Sequence, residues 1–324
     1  MGFRVQNLKR VAVIMLSVSV LFSSFSRAQE RSQYQHWLEL SAADQNFADR
    51  SDEIGRTRAF LEFLGEDSVV FRGSRNSVDA RTEYSNPEFQ RGANEIAWEA
   101  HYIDVSRDGD LGLSAGPLTI IGGGGDPDLD SFGHLVSIWK KNAGRWVLMA
   151  DIVVGIPGFL SLGVEPNFDD TRPVLEETAH PVMVMTEDNT LQSLIESDNR
   201  FGRSINIRGG QRALLRWGLT NTRVYLPDMG PAVGREPASS VYGAFLDNQL
   251  STTNPVSLTH VGGYLSTSKE VGYTYGTMAT NVDAEIENNE SENDRFQANY
   301  LRLWRFSESN EWKIAVEVLS PYSN

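Results

Sequence analysis

Apolar residues recur every seven positions through the first globular stretch. Between Leu38 and Leu64, Phe47, Ile54 and Leu61 form a stripe, with Phe60 and Leu64 beside it. That is helical spacing, and it predicts a helix with one apolar face. Gly55 interrupts the stretch and is expected to divide it into two helices. The pattern then changes to short apolar runs and alternation. Val69-Val70-Phe71 predicts a short strand, and longer strands are expected over Ile96 to Ser106, Leu111 to Ile121, Phe132 to Lys141 and Arg145 to Val154. Arg107-Asp108-Gly109-Asp110 and Asn142-Ala143-Gly144 are turn sequences between them. Helices followed by an antiparallel meander give an α+β class.

The second half of the chain repeats the first. Asp44-Gln45-Asn46-Phe47 corresponds to Asp198-Asn199-Arg200-Phe201, and at the same offset of 154 Gly55 meets Gly209, Ala59 meets Ala213 and Phe63 meets Trp217. Leu111 to Gly116 then matches Val271 to Gly276 at an offset of 160. Trp139 pairs with Trp304 and Trp146 with Trp312, and five residues beyond the latter pair stand Asp151 and Glu317. The offset grows because loops accept insertions that packed elements do not. The second copy is expected to have a helix broken at Gly209-Gly210, then strands over Val256 to Leu265, Val271 to Thr280, Phe296 to Phe306 and Trp312 to Leu319. This divides the chain into residues 29–156, a proline-bearing linker at 157–187, and a second domain at 188–324.

Residues 1–28 read as a leader. Arg4, Lys9 and Arg10 precede a 15-residue apolar run from Val11 to Phe25, and Ser26-Arg27-Ala28 supplies small residues for cleavage after Ala28. The expected destination is periplasmic or secreted. The chain has no cysteine, so it has no lipid-anchored cysteine and no disulfide. Removing the leader's four basic residues takes the net charge from −14 to −18. That acidity argues against nucleic acid and against anionic membrane surfaces as partners.

Asp67 to Phe71, Asp110-Leu111-Gly112-Leu113-Ser114-Ala115-Gly116, and Ser137-Ile138-Trp139-Lys140-Lys141 through Trp146 to Asp151 together resemble the SnoaL-like, nuclear transport factor 2-like superfamily. The resemblance covers most of Asp44 to Val154 and extends more weakly over Leu191 to Leu319. It implies two tandem cone-shaped domains, each with helices packed across a strongly bent antiparallel sheet. It also implies that the two copies can pair as an intramolecular pseudo-dimer. The superfamily includes isomerases, dehydratases, cyclases and association domains, so fold alone does not select an activity.

Asp151 stands in the apolar strand Val147 to Val154, and Glu317 holds the equivalent place. A carboxylate among apolar neighbours can serve as a general acid or base. It can equally face outward or be tied to an arginine. His101 and His134 are the candidate partners for proton transfer; the second copy has His260 near the first position but Asn299 at the second. Trp98, Tyr102, Tyr264 and Tyr275, with Glu317, are candidate pocket residues, weighed against ordinary core packing. Gly122 to Asp130 fails the EF-hand pattern, since Ser131 and Ser137 occupy the positions needing glycine and glutamate. No zinc spacing, Rossmann fingerprint or phosphate loop is present, so no metal or cofactor is expected. Two readings follow. One is a non-catalytic exported module that binds a small, partly apolar ligand or a protein partner. The other is a cofactor-free isomerase, dehydratase or cyclase using Asp151 with His101 or His134. The sparse polar constellation, unequal between copies, favours the first.

Overall fold

The computed structural model describes residues 32–72, 75–92, 94–122, 130–160, 166–168, 172–173, 186–249, 255–280 and 296–322. Residues 1–31, 123–129 and most of 157–187 lie outside them.

The first copy opens with α1 (Gln33–Ile54) and α2 (Arg56–Phe63). Trp37, Leu40, Asp44, Phe47 and Ser51 form the buried stripe of α1, three to four residues apart. Gly55 separates the helices at φ 85°, a conformation that disfavours any side chain. β1 (Leu64–Arg72), β2 (Arg75–Asp79), α3 (Ala80–Ser85) and α4 (Pro87–Gly92) follow. The sheet is completed by β3 (Ile96–Trp98), β4 (Tyr102–Val105), β5 (Leu111–Ile120), β6 (Ser131–Asn142) and β7 (Arg145–Ile156). Its order is β2-β1-β7-β6-β5-β3, with β4 also on β5; β1 and β7 are parallel and the other pairs antiparallel.

The expected single strand from Ile96 to Ser106 is instead two strands with a kink at Glu99–His101. The reason lies across the sheet at Gly116, where a Cβ would sit 1.8 Å from the Glu99 carbonyl oxygen. A residue with any side chain would push the kink away.

The second copy runs α5 (Leu191–Arg208), α6 (Gly210–Trp217), β8 (Gly218–Tyr225), β9 (Ala232–Val233), α7 (Arg235–Gln249), β10 (Val256–Leu265), β11 (Val271–Thr280), β12 (Gln297–Phe306) and β13 (Trp312–Pro321). Its sheet order is β10-β11-β12-β13-β8-β9, again with one parallel pair, β8 with β13. Gly209 divides the helices at φ 79°. Both copies therefore place two end-to-end helices before a meander whose last strand returns to the first. Among the described residues no helix is long and apolar enough to cross a membrane.

Three apolar layers hold the molecule. One lies between helices and sheet in the first copy and includes Leu40, Phe47, Phe60, Trp139 and Leu148. Its counterpart in the second includes Leu194, Phe201, Tyr242, Trp304 and Ile314. The third joins the outer faces of the two sheets, with Leu113, Val136, Ile138 and Ile152 against Tyr273, Leu301, Val316 and Val318.

The contact between copies is reciprocal. Asp110 accepts the Thr267 N–H at 2.8 Å, and its equivalent, Glu270, accepts the Arg107 N–H at 2.6 Å. Arg305 forms an ion pair with Asp104, while the equivalent Lys140 lies 4.0 Å over the ring of Tyr264. Each patch meets its own counterpart, as in an isologous dimer, here within one chain.

Candidate functional site

The space between helices and sheet is the first place to seek chemistry. In the second copy a buried guanidinium occupies it. Arg302 on β12 donates from Nε to Glu317 Oε2 at 2.5 Å, from Nη2 to Glu317 Oε1 at 3.0 Å, and from Nη1 to Asp198 Oδ1 at 2.7 Å. Tyr300 donates to Asp198 at 2.7 Å and Tyr242 of α7 to Glu317 at 3.2 Å. The ion-paired side chains are 0–1% exposed. Burial works to raise Asp198, but the Arg302 charge and its hydrogen bonds hold it below the usual range. Burial pushes Glu317 up despite Arg302. Glu317 is thus a carboxylate tied to an arginine, the structural alternative weighed from the sequence.

In the first copy the residue opposite Asp151 across the sheet is Ser137, where Arg302 stands opposite Glu317. The space is filled by rings. Phe47 packs 4.7 Å from both Phe60 and Trp98, centroid to centroid, and 5.7 Å from Trp139. Its equivalent, Phe201, is covered instead by the Arg302 guanidinium at 4.8 Å. Asp44, equivalent to Asp198, accepts the Ser114 hydroxyl at 2.6 Å, and Ser114 accepts the Trp139 indole N–H at 2.9 Å. Burial pushes the Asp44 carboxyl up to about 6, with Ser114 and the nearby Trp98 indole working the other way. Asp44 is a buried titratable group that the sequence reading aligned with Asp198 but did not single out. Its position one turn before Phe47 within the apolar stripe was the available signal.

The expected Asp–His pair is not assembled. Ile152 and Val154 belong to the layer between the sheets, while Val153 packs with the helix-facing layer. Strand alternation therefore turns Asp151 toward the helices. His134 faces the other way, with its ring 5.6 Å from that of Tyr225 in the layer between the sheets. Asp151 and His134 are on opposite faces of one sheet, so the acid–base reading of this pair is corrected.

His101 and His134 do come together, in a groove of about 500 Å³ at the seam between the copies. The Glu99–His101 kink brings one histidine to it and β6 the other. Trp98, Pro117, Phe132 and Leu160 wall it from the first copy, and Gly230 and Pro231 close it from the second. The second copy's loop is held there by the Asp228 N–H donating to the Gly155 carbonyl at 3.0 Å. Glu99 is 3.7 Å from His101 Nε2. Burial, then the neighbouring His101, lowers the affinity of His134 for a proton, which keeps it neutral.

The expected pocket residues separate. Trp98 lines the groove, but Tyr102, Tyr264 and Tyr275 are packed in the layer between the sheets. Tyr102 lies under the Arg223 guanidinium at 4.5 Å, and Tyr275 stacks on Tyr273 at 6.2 Å. These aromatic residues and Glu317 do not share a cavity among the described residues. Their apolar surface is spent on joining the copies. Among the described residues no group of three or more metal-ligating side chains is gathered.

No protein-family model and no curated protein matches the chain. Solved structures similar to it include a ketosteroid isomerase-like protein from Erwinia carotovora atroseptica. It is 15% identical, covers 41% of this chain and 97% of its own, and has a TM-score of 0.32. A protein of the NTF2-like family from Streptomyces avermitilis is 14% identical over 40% of this chain and 94% of its own, at 0.31. ActVI-ORFA from Streptomyces coelicolor is 10% identical over 40% and 95%, at 0.32. Each spans the length of one copy, and at these identities none bears on chemistry. By its own order of helices and strands, the chain is two tandem copies of the nuclear transport factor 2-like fold.

Proposed function

We propose that this protein is a non-catalytic module that holds a small, partly apolar ligand in the seam groove. The observation that carries the reading is the groove itself. It is mostly apolar, has few polar groups, and offers about 500 Å³, within the range of small-molecule sites. Asp151, the carboxylate that proton abstraction was to use, lies on the opposite sheet face from His134. The groove draws walls from both copies, which gives the pseudo-dimer a purpose beyond stability. Residues 1–28 are proposed as a leader removed on export, supported by their basic start, apolar run and small residues before the cut. Native mass spectrometry of the protein from its own source tests both points. A mature mass beginning at Gln29 with a retained small molecule is the expected result. Ala97 is exposed and lines the groove, so Ala97→Trp should fill the space and release that mass without unfolding the chain. Retention of the same mass by the variant would refute the assignment.

A further inference from the structure

A second hollow, of about 300 Å³, lies on the other copy, away from the seam, and arises from a difference between the repeats. In the first copy Lys141 forms an ion pair with Glu39 and lies 5.1 Å over the ring of Trp146. That pair closes the space between the helix start and the last hairpin. At the equivalent positions the second copy has Phe306, Ser193 and Trp312. The salt bridge is gone, and the space it would cross is open.

The walls and rim differ in kind. Trp217, Phe306 and Trp312 supply aromatic walls, with Phe306 edge-on to Trp312 at 5.3 Å. The rim is polar and held in place. Arg216 donates twice to Glu311, at 2.9 and 2.6 Å, and Lys313 reaches the same carboxylate at 2.9 Å. Asn310, at φ 56°, turns the hairpin around this cluster. Every cation at the rim has a carboxylate partner, since Arg200 also stands 3.8 Å from Glu196. A site built for phosphate would leave its cations unspent. Aromatic walls under a neutralised, planar, hydrogen-bonding rim suit a ligand with one apolar face and many hydroxyls.

We infer that this hollow on the second copy binds a single neutral sugar ring. Its C–H face lies on the aromatic wall and its hydroxyls meet the Arg–Glu–Asn rim. The site shares no residue with the seam groove, so either assignment can fail without the other.

The test is an NMR titration of the full chain with methyl β-glucoside, methyl α-mannoside and methyl β-galactoside, with inorganic phosphate alongside. The indole N–H peaks of Trp217 and Trp312 are assigned through Trp217→Phe and Trp312→Phe. At least one glycoside should move both peaks and leave that of Trp98 in place, and phosphate should move neither. The double variant S193E/F306K restores the closing pair of the first copy and should weaken binding at least about tenfold. The inference is overturned if no glycoside moves these peaks at saturating concentration, or if phosphate moves them instead. The peak shifts are read on the unmodified chain, so they decide the matter even where the double variant fails to fold.

Discussion

The two helix-facing cores solve one packing problem with different chemistry. Opposite the last-strand carboxylate, the first copy has Ser137 and the second Arg302. Around equivalent phenylalanines the first is filled by Trp98 and its neighbours, the second by a guanidinium clamped between Asp198 and Glu317. Both copies use this space for packing, and the open surface lies at the seam and at the rim of the second copy. Repetition of sequence therefore preserved the frame while freeing each interior to change.

The largest expected effect comes from breaking the ionic core. Arg302→Ala leaves two carboxylates buried without their cation and should cost about 3–5 kcal/mol, read from the urea midpoint. Replacing all three charged residues with apolar ones of similar size should cost less than that single change. A loss below about 1 kcal/mol for Arg302→Ala would mean the cluster is not the dry plug described.

The aromatic core should respond to pH in its own way. Asp44 titrates near 6 when folded, against about 3.9 in an unfolded chain. The folded state thus binds the proton more tightly. This group's contribution is most favourable below about pH 4 and is lost as pH rises toward 6, leaving a deficit of about 3 kcal/mol at neutral pH. Asp44→Asn should therefore be more stable than the parent near neutrality by up to that amount, with the advantage gone at about pH 4. A pH-independent difference between the two would contradict the assignment.

Trp98 is half-buried, so Trp98→Ala should cost about 2 kcal/mol, less than a fully buried ring. It should also disturb the seam groove, which Arg302→Ala should not. The smallest effects belong to the reciprocal contact between copies. Asp110→Asn and Glu270→Gln should each cost about 1 kcal/mol. Glu270, buried where Asp110 is partly exposed, should give the larger loss. Equal insensitivity of both would argue that the apolar layer alone joins the copies.

Much of the frame was legible in the sequence. The seven-residue stripe, the helix-splitting Gly55 and Gly209, and the strands from Leu111 onward all appear near their expected places, because each depends on local periodicity or backbone freedom. Less was legible where an element depends on distant partners. The Glu99–His101 kink is set by Gly116 across the sheet. Helix α7 carries Ala238, Tyr242 and Leu246 at four-residue spacing, with Val241 and Phe245 beside them, and it delivers the Tyr242 hydroxyl to Glu317, a partner far away in the chain. The site was less legible still. Asp151 pairs with Ser137, three residues along β6 from His134, so the two alternate onto opposite faces. Single-strand patterns do not reveal such a cross-strand pairing. The aromatic residues were visible as a group, but only the sheet pairing assigns Tyr264 and Tyr275 to the joint between copies.

The central claim is that ligand binding has left the filled interiors for the seam. It is tested most directly by following the ring nitrogens of His101 and His134 by NMR during titration with an amphipathic aromatic probe, 1-anilinonaphthalene-8-sulfonate. The account predicts saturable shifts at both histidines with one probe per chain, and none at the Trp304 indole inside the second copy. Binding that shifts Trp304 and leaves both histidines unmoved would contradict it.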